Sequence, residues 1–222
     1  MEYTIKLWLK TWWGKLVVIL LTIILIFVVA AGFYIYDIIK TAKEQTGIKL
    51  SGQQYKAAEG DHYWLGSAKA PITVVEFGDF SCPVCEQSFS TIREISLKYK
   101  NDIKFIWRDY PVVAEYSAVL ALAGRCAGEQ GLFWPIHDKL FQNQGVSQID
   151  ELTALANQVG ADTARFNDCL TKQKYLPQIQ KDLTDGQGFG ITGTPTYFIN
   201  GYKIEGNIPR DTFIKIIEGL KK

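Results

Sequence analysis

"ITVVEFGDFSCPVCEQSFSTIREISLKYK", residues 72–100, joins an apolar run to a helical pattern through two cysteines spaced Cys-x-x-Cys. The run 72–77 is rich in β-formers, while 84–100 carries the helical period. Cys82 and Cys85 fall at the turn between them, with Pro83 directly behind the first. Half of a zinc site, an inert staple and a catalytic disulfide are the three chemistries open to such a pair. Downstream, "DIKFIWRDY" (102–110) is a second β-rich run. Strand, helix and strand thus follow within about forty residues, which is a βαβ unit and implies parallel pairing.

Residues 114–189 read as helical throughout. "EYSAVLALAGRCAGEQ" (115–130) is rich in alanine and leucine. "SQIDELTALANQVG" (147–160) opens on Ser147-x-x-Asp150, a box expected to start a helix, and ends on Gly160. Pro177 suits the first turn of a further helix. "TPTYFIN" and "YKIEG", joined by Asn200-Gly201, form the strongest short hairpin signal in the chain. An amphipathic "RDTFIKIIEGLKK" closes it. The order β-α-β, helical block, β-β-α is an α/β class of thioredoxin layout with an inserted helical domain over about 114–189.

A different segment precedes this domain. Residues 16–36, "LVVILLTIILIFVVAAGFYIY", hold no charge and no proline and are long enough to span a hydrocarbon core. Trp8, Trp12 and Trp13 flank one end and Phe33, Tyr34 and Tyr36 the other, as at membrane interfaces. A cleaved signal peptide is the alternative, but the apolar run exceeds the usual signal core. The expected organisation is a cytoplasmic tail over 1–15, a transmembrane signal anchor over 16–36, a polar juxtamembrane stalk over 37–60 and one domain over 61–222. Lysines lie on both sides of the span, so charge alone does not orient it. Lys plus Arg number 24 against 23 Asp plus Glu, a net charge of +1 that speaks against nucleic acid as a partner.

Position alone separates the two thiols. Cys82 at a helix N-terminus, with Pro83 at N1, faces the free N–H groups of Val84 and Cys85 and the positive end of the helix dipole. Its thiolate is favoured, and a low-pKa thiol is a good leaving group. Cys85, one turn in, is the expected resolving partner. A zinc site needs four suitably spaced ligands, and neither Cys126, Cys169, His62 nor His137 supplies that spacing. A staple over so short a loop adds little stability. Glu76 stands in an otherwise apolar strand, where a carboxylate is costly unless it has a role; a strand-end glutamate reaching solvent is the alternative. Asp79 reads as a loop acid. Cys126 and Cys169 make a second pair in an exported chain, or else two unpaired buried cysteines. Phe133, Trp134 and Phe141 read as core, and His137 as a structural hydrogen-bonder.

The chain resembles the DsbA-like branch of thioredoxin-fold thiol–disulfide oxidoreductases, in its bacterial membrane-anchored or secreted forms. The residues that carry the resemblance are "APITVVEFGDFSCPVC" (70–85), "FIWRDYP" (105–111), "RCAGEQGLFWPIHDKLF" (125–141), "FNDCL" (166–170) and "GITGTPTYFINGY" (190–202). The resemblance implies a redox-active disulfide between Cys82 and Cys85. It further implies a buried Glu76 that relays the proton of Cys85, and a cis Pro195 that leaves the Thr194 backbone free to pair with substrate. Strongly oxidising relatives carry a histidine between their cysteines; Val84 supplies no such donor.

The expected function is disulfide donation to reduced or unfolded exported proteins, through a mixed disulfide at Cys82. A membrane partner or small oxidant would reoxidise the enzyme, and no metal or organic cofactor is implied. The expected state is a monomer in the cell membrane with its catalytic domain outside the cytoplasm. A reductase or isomerase on the same fold, or a non-catalytic tethered binding module, are the rivals.

Overall fold

The computed structural model describes residues 12–45, 50 and 52–221, divided into two compact units that part between Ile48 and Lys49. The expected tail lies outside the described residues up to residue 11, as do 46–49 and 51 of the expected stalk. Helix α1, Trp12–Gln45, carries the apolar segment Lys15–Asp37, whose most apolar 18-residue stretch has mean hydropathy 3.2. At 1.5 Å per residue, its 23 residues reach roughly 35 Å, enough for a hydrocarbon core of about 30 Å. The helix runs on through the first part of the expected stalk.

The second unit is built on a five-stranded sheet in the order β1-β3-β2-β4-β5. Its strands are β1 (Trp64–Gly66), β2 (Ile72–Gly78), β3 (Ile103–Asp109), β4 (Thr196–Ile199) and β5 (Tyr202–Glu205). β2 and β3 pair in parallel across helix α2 (Pro83–Lys98), and β4 returns antiparallel beside β2. The Asn200-Gly201 turn has φ values of 48° and 85°, the double positive φ that a two-residue hairpin of this hand needs. A Cβ on Gly201 would also stand 2.8 Å from the Tyr55 carbonyl oxygen. Helix α8 (Arg210–Leu220) ends the fold.

Between β3 and β4 lie five helices: α3 (Ser117–Gly128), α4 (Phe133–Gln142), α5 (Ile149–Gln158), α6 (Thr163–Thr171) and α7 (Leu176–Gly188). The first four cover the sheet face that carries the cysteines, in one core with Phe80 and Trp107, while α7 joins that core through Ile179 and the opposite one through Leu183. A smaller core of Val75, Phe77, Ile106 and Phe198 fills the opposite face. Buried charge ties the layers together. Arg108 Nε donates to Asp182 at 2.7 Å, and Arg125 donates to both Asp109 and Asp182 at 2.5 Å. Removing one partner of so enclosed a set would strand the others, which costs far more than the set contributes to stability.

Three expectations change. β1 was not legible as a strand: its three residues pair antiparallel with β3 at the sheet edge, too short for any periodicity to show. Residues 52–60 pack on the domain rather than serving as stalk, with Ala57 buried and Tyr55 N–H donating to Gly201 O at 2.9 Å. Their polar composition hides those two anchors. The helix box at α5 sits one residue on: Glu151, three after Gln148, accepts the Gln148 N–H at 3.2 Å. Asp150 is a methylene shorter and remains in the first turn, where its charge favours the helix dipole.

Cys126 of α3 and Cys169 of α6 are joined by a disulfide, with Cα atoms 5.7 Å apart and a sequence separation of 43. Closing a loop of that length stabilises the native chain by on the order of 4 kcal/mol in the chain-entropy treatment. Replacing both by alanine should lower unfolding stability by up to that amount in urea titration while Cys82 stays reactive. Loss of thiol exchange in a variant that remains folded would contradict a purely structural role.

Candidate active site

The site begins where β2 stops. Gly78 lies so close to Trp107 that a Cβ would stand 2.3 Å from the indole ring, and the chain passes from the strand into a tight turn. Asp79 organises that turn. Its Oδ1 accepts from the Ser81 N–H and hydroxyl at 2.9 and 2.8 Å, and its Oδ2 from the N–H groups of Val112 and Val113, both at 2.8 Å. The residue read as a loop acid therefore locks the cysteine turn to the segment after β3. Gln144, at the end of α4, adds a second clamp: its Nε2 donates to the Phe80 and Cys82 carbonyls, each at 2.9 Å. Neither residue carries a motif that would have marked it.

Cys82 caps α2 with extended backbone, φ −77° and ψ 120°, and Pro83 occupies the first turn. It is 4% exposed, whereas Cys85 is fully enclosed. Both thiols are free, and Cys82 Sγ donates to the Thr194 carbonyl at 3.2 Å. The peptide between Thr194 and Pro195 is cis, and proline offers no N–H to the sulfur.

The two sulfurs have opposite electrostatics. The Cys85 thiol donates to the Cys82 thiolate, and with the Thr194 side chain and the N–H groups of Cys85 and Val84 it outweighs burial, bringing the Cys82 pKa down to about 5. Cys85 is pushed far up by burial first, then by its bond to Cys82 and by the charge of Glu76. Thr194 favours the Cys82 thiolate where Val84 cannot, and its buried hydroxyl has no hydrogen-bond partner among the described residues.

Glu76 lies in the middle of β2, 3% exposed, so it does not reach solvent as a strand-end glutamate would. Burial, with a smaller push from Cys82, raises its carboxyl to about 8, and Tyr197 opposes the shift. The remaining candidates for metal ligation are engaged elsewhere. His62 bonds the Glu59 carbonyl at 2.9 Å, and His137 bonds Asp138 at 3.0 Å within a cluster of aromatic rings.

A family model described as Thioredoxin matches residues 58–219. The chain belongs to the thioredoxin family. Among solved structures it is similar to oxidised BdbD from Bacillus subtilis, with TM-score 0.67, 30% identity, and 78% of this chain and 98% of that one covered. The thiol–disulfide exchange protein α-DsbA2 from Wolbachia pipientis shares the fold at TM-score 0.68 and 20% identity, over 74% of this chain and 89% of its own. A curated relative named Na(+)/H(+) antiporter NhaA 1, from Salinispora arenicola, is 37% identical over 144 residues, 64% of this chain. The chain spans only 22% of that relative's length, so the match is to one portion of a longer protein. The fold of the domain is what this chain shares with these solved structures.

The Glu76 shift has a thermodynamic consequence. A carboxyl held at about 8 in the folded state, against an ordinary 4.5, binds its proton more tightly folded than unfolded. Its contribution to stability is whole below the unfolded pKa and is lost as pH rises through the folded one. Glu76→Gln should therefore be more stable than the parent, by a margin that is small in acid and grows up to about pH 8. Paired thermal melts across that window check it; a margin independent of pH would assign the titration to another group.

Proposed function

We propose that this chain is a membrane-tethered oxidoreductase that donates the Cys82–Cys85 disulfide to exported proteins. The observation that carries the reading is the polarity of the thiol pair: one sulfur held near a pKa of about 5 at a helix N-terminus, its partner buried and held far higher. A substrate thiolate attacks Cys82 Sγ, the bond to Cys85 breaks, and a mixed disulfide forms. Cys85 leaves as a thiolate that is poorly stabilised where it sits, and takes a proton from Glu76. A second thiolate of the same substrate then attacks the substrate sulfur of the mixed disulfide, which forms the substrate disulfide and expels the stable Cys82 thiolate. The substrate loses two electrons and the enzyme gains them as a dithiol.

Reoxidation requires an oxidant, either a membrane partner or a small molecule. Thr194 and Pro195 border the attacked sulfur, which supports pairing of the Thr194 backbone with an extended substrate chain. The apolar segment of α1 supports a single-pass anchor in membrane lipid, and the Cys126–Cys169 disulfide suits a domain facing an oxidising compartment. The proposed working form is a monomer.

Reduced, unfolded ribonuclease tests the reaction: the oxidised protein should restore its activity, with turnover once an oxidant is supplied. Cys85→Ser should trap substrates as mixed disulfides at Cys82, and Cys82→Ser should trap few. Equal trapping by the two variants would remove the assigned roles, and absence of any rate would leave a binding module.

Redox direction follows from the same shift. At pH 7 a thiol of pKa about 5 favours the dithiol by about a hundredfold over an ordinary thiol, roughly 60 mV for two electrons. Equilibration with glutathione should place the couple between thioredoxin, about −270 mV, and DsbA, about −120 mV. A value at or below that of thioredoxin would make the protein a reductase.

A further inference from the structure

A row of side chains crosses the three central strands on the face that holds the cysteines. Register sets Trp107 of β3, Glu76 of β2 and Tyr197 of β4 side by side. Tyr197 is fully enclosed, and its hydroxyl donates to Ser88 Oγ at 3.2 Å. Ser88 Oγ in turn donates to the carbonyl of Cys85 at 3.0 Å. The same tyrosine hydroxyl acts on the Glu76 carboxyl, where it favours the ionised form. Cross-strand pairing thus sets the acid of β2 beside a tyrosine whose hydroxyl leads through Ser88 to the backbone of the resolving cysteine.

A tyrosine hydroxyl has a single proton and can accept as well as donate. It can donate to Ser88 or to Glu76, but not to both. A protonated Glu76 brings its own O–H, so the tyrosine oxygen accepts from it and the tyrosine proton goes to Ser88. An ionised Glu76 draws the tyrosine proton instead, because a bond to a carboxylate is the stronger one. Ser88 then loses its donor while keeping its own bond to the Cys85 carbonyl.

We propose that Tyr197 is a positioning residue whose one hydroxyl proton alternates between Ser88 and Glu76, holding the carboxyl in place before and after it gives its proton to Cys85. The proposal rests on Glu76 being the proton donor in the reading above. The titratable groups that act on this carboxyl are Cys82 and Cys85 from the turn and α2, and Tyr197 from β4. β3 contributes the Trp107 ring, and α8 packs Phe213 edge-on against Tyr197. Among the described residues that act on this carboxyl, Tyr197 alone favours its ionised form, whereas burial and Cys82 oppose it.

The test is the rate at which glutathione thiolate reduces the Cys82–Cys85 disulfide of the full-length protein, followed against pH and normalised to thiolate concentration. The parent should show an inflection where Glu76 loses its proton, and Glu76→Gln should lack it. Tyr197→Phe, which deletes only the hydroxyl, should move the inflection up by about half a pH unit or more. Ser88→Ala, which removes the competing acceptor and frees the tyrosine proton for the carboxylate, should move it down. In the Glu76→Gln background neither substitution should change the profile. An inflection that survives in Glu76→Gln would overturn both the proton-donor reading and this one. An inflection lost in Glu76→Gln but unmoved in Tyr197→Phe, or moved the same way by both hydroxyl deletions, would overturn this proposal alone.

Discussion

The Asp79 carboxylate accepts four hydrogen bonds, two from its own turn and two from the segment after β3. That one group sets where β2 lets go of the sheet and where α2 begins. The Cys82 N–H bonds the Asp79 carbonyl at 3.0 Å, so the capping cysteine is fixed from the same residue. A carboxylate with all its acceptor sites satisfied by N–H and O–H donors tolerates burial that would otherwise be prohibitive. The anchor holds both sides of the turn, and the Gln144 amide closes it from the inserted helical block.

On this frame, two chemically identical thiols become different reagents. Cys82 collects donors: the Cys85 thiol, the Thr194 side chain and two backbone N–H groups. Cys85 lies one turn deeper, enclosed by apolar side chains, with a carboxyl and a second sulfur for company. Burial is the dominant influence on Cys85 and is outweighed at Cys82, which is why a displacement of one helical turn separates the pair so widely. Proton delivery to Cys85 then becomes the chemical problem of the site. A neutral Glu76 inside a sheet covered on both faces is a group suited to solve it.

The inserted helices do more than enlarge the core. Through Gln144 they hold the Cys82 carbonyl, and through Asp182 and Arg125 they engage the charged end of β3. Ser117, at the start of α3, meets the Ser81 hydroxyl at 2.6 Å beside the active-site turn. The insertion and the thioredoxin-family half therefore share one polar seam, and disturbance of either side reaches the cysteine turn.

Much of the fold was readable from the chain alone, because it rests on local patterns. Apolar runs rich in β-formers marked β2 and β3, Asn200-Gly201 marked the hairpin, and Cys82-Pro83-Val84-Cys85 at a strand-to-helix junction marked the candidate redox pair. Glu76 was visible as a charge inside an apolar run. What the sequence could not display were contacts between segments far apart in it. Thr194 reaches Cys82 across 112 positions and Tyr197 reaches Ser88 across 109. Asp79 looked like an ordinary loop acid because its partners at Val112 and Val113 are backbone N–H groups, which every residue but proline carries and no composition reveals. Residue types at fixed spacing marked the two sulfurs as the candidate reacting atoms. Tertiary packing decided their proton affinities, since desolvation and hydrogen bonding depend on what the rest of the chain places around each sulfur.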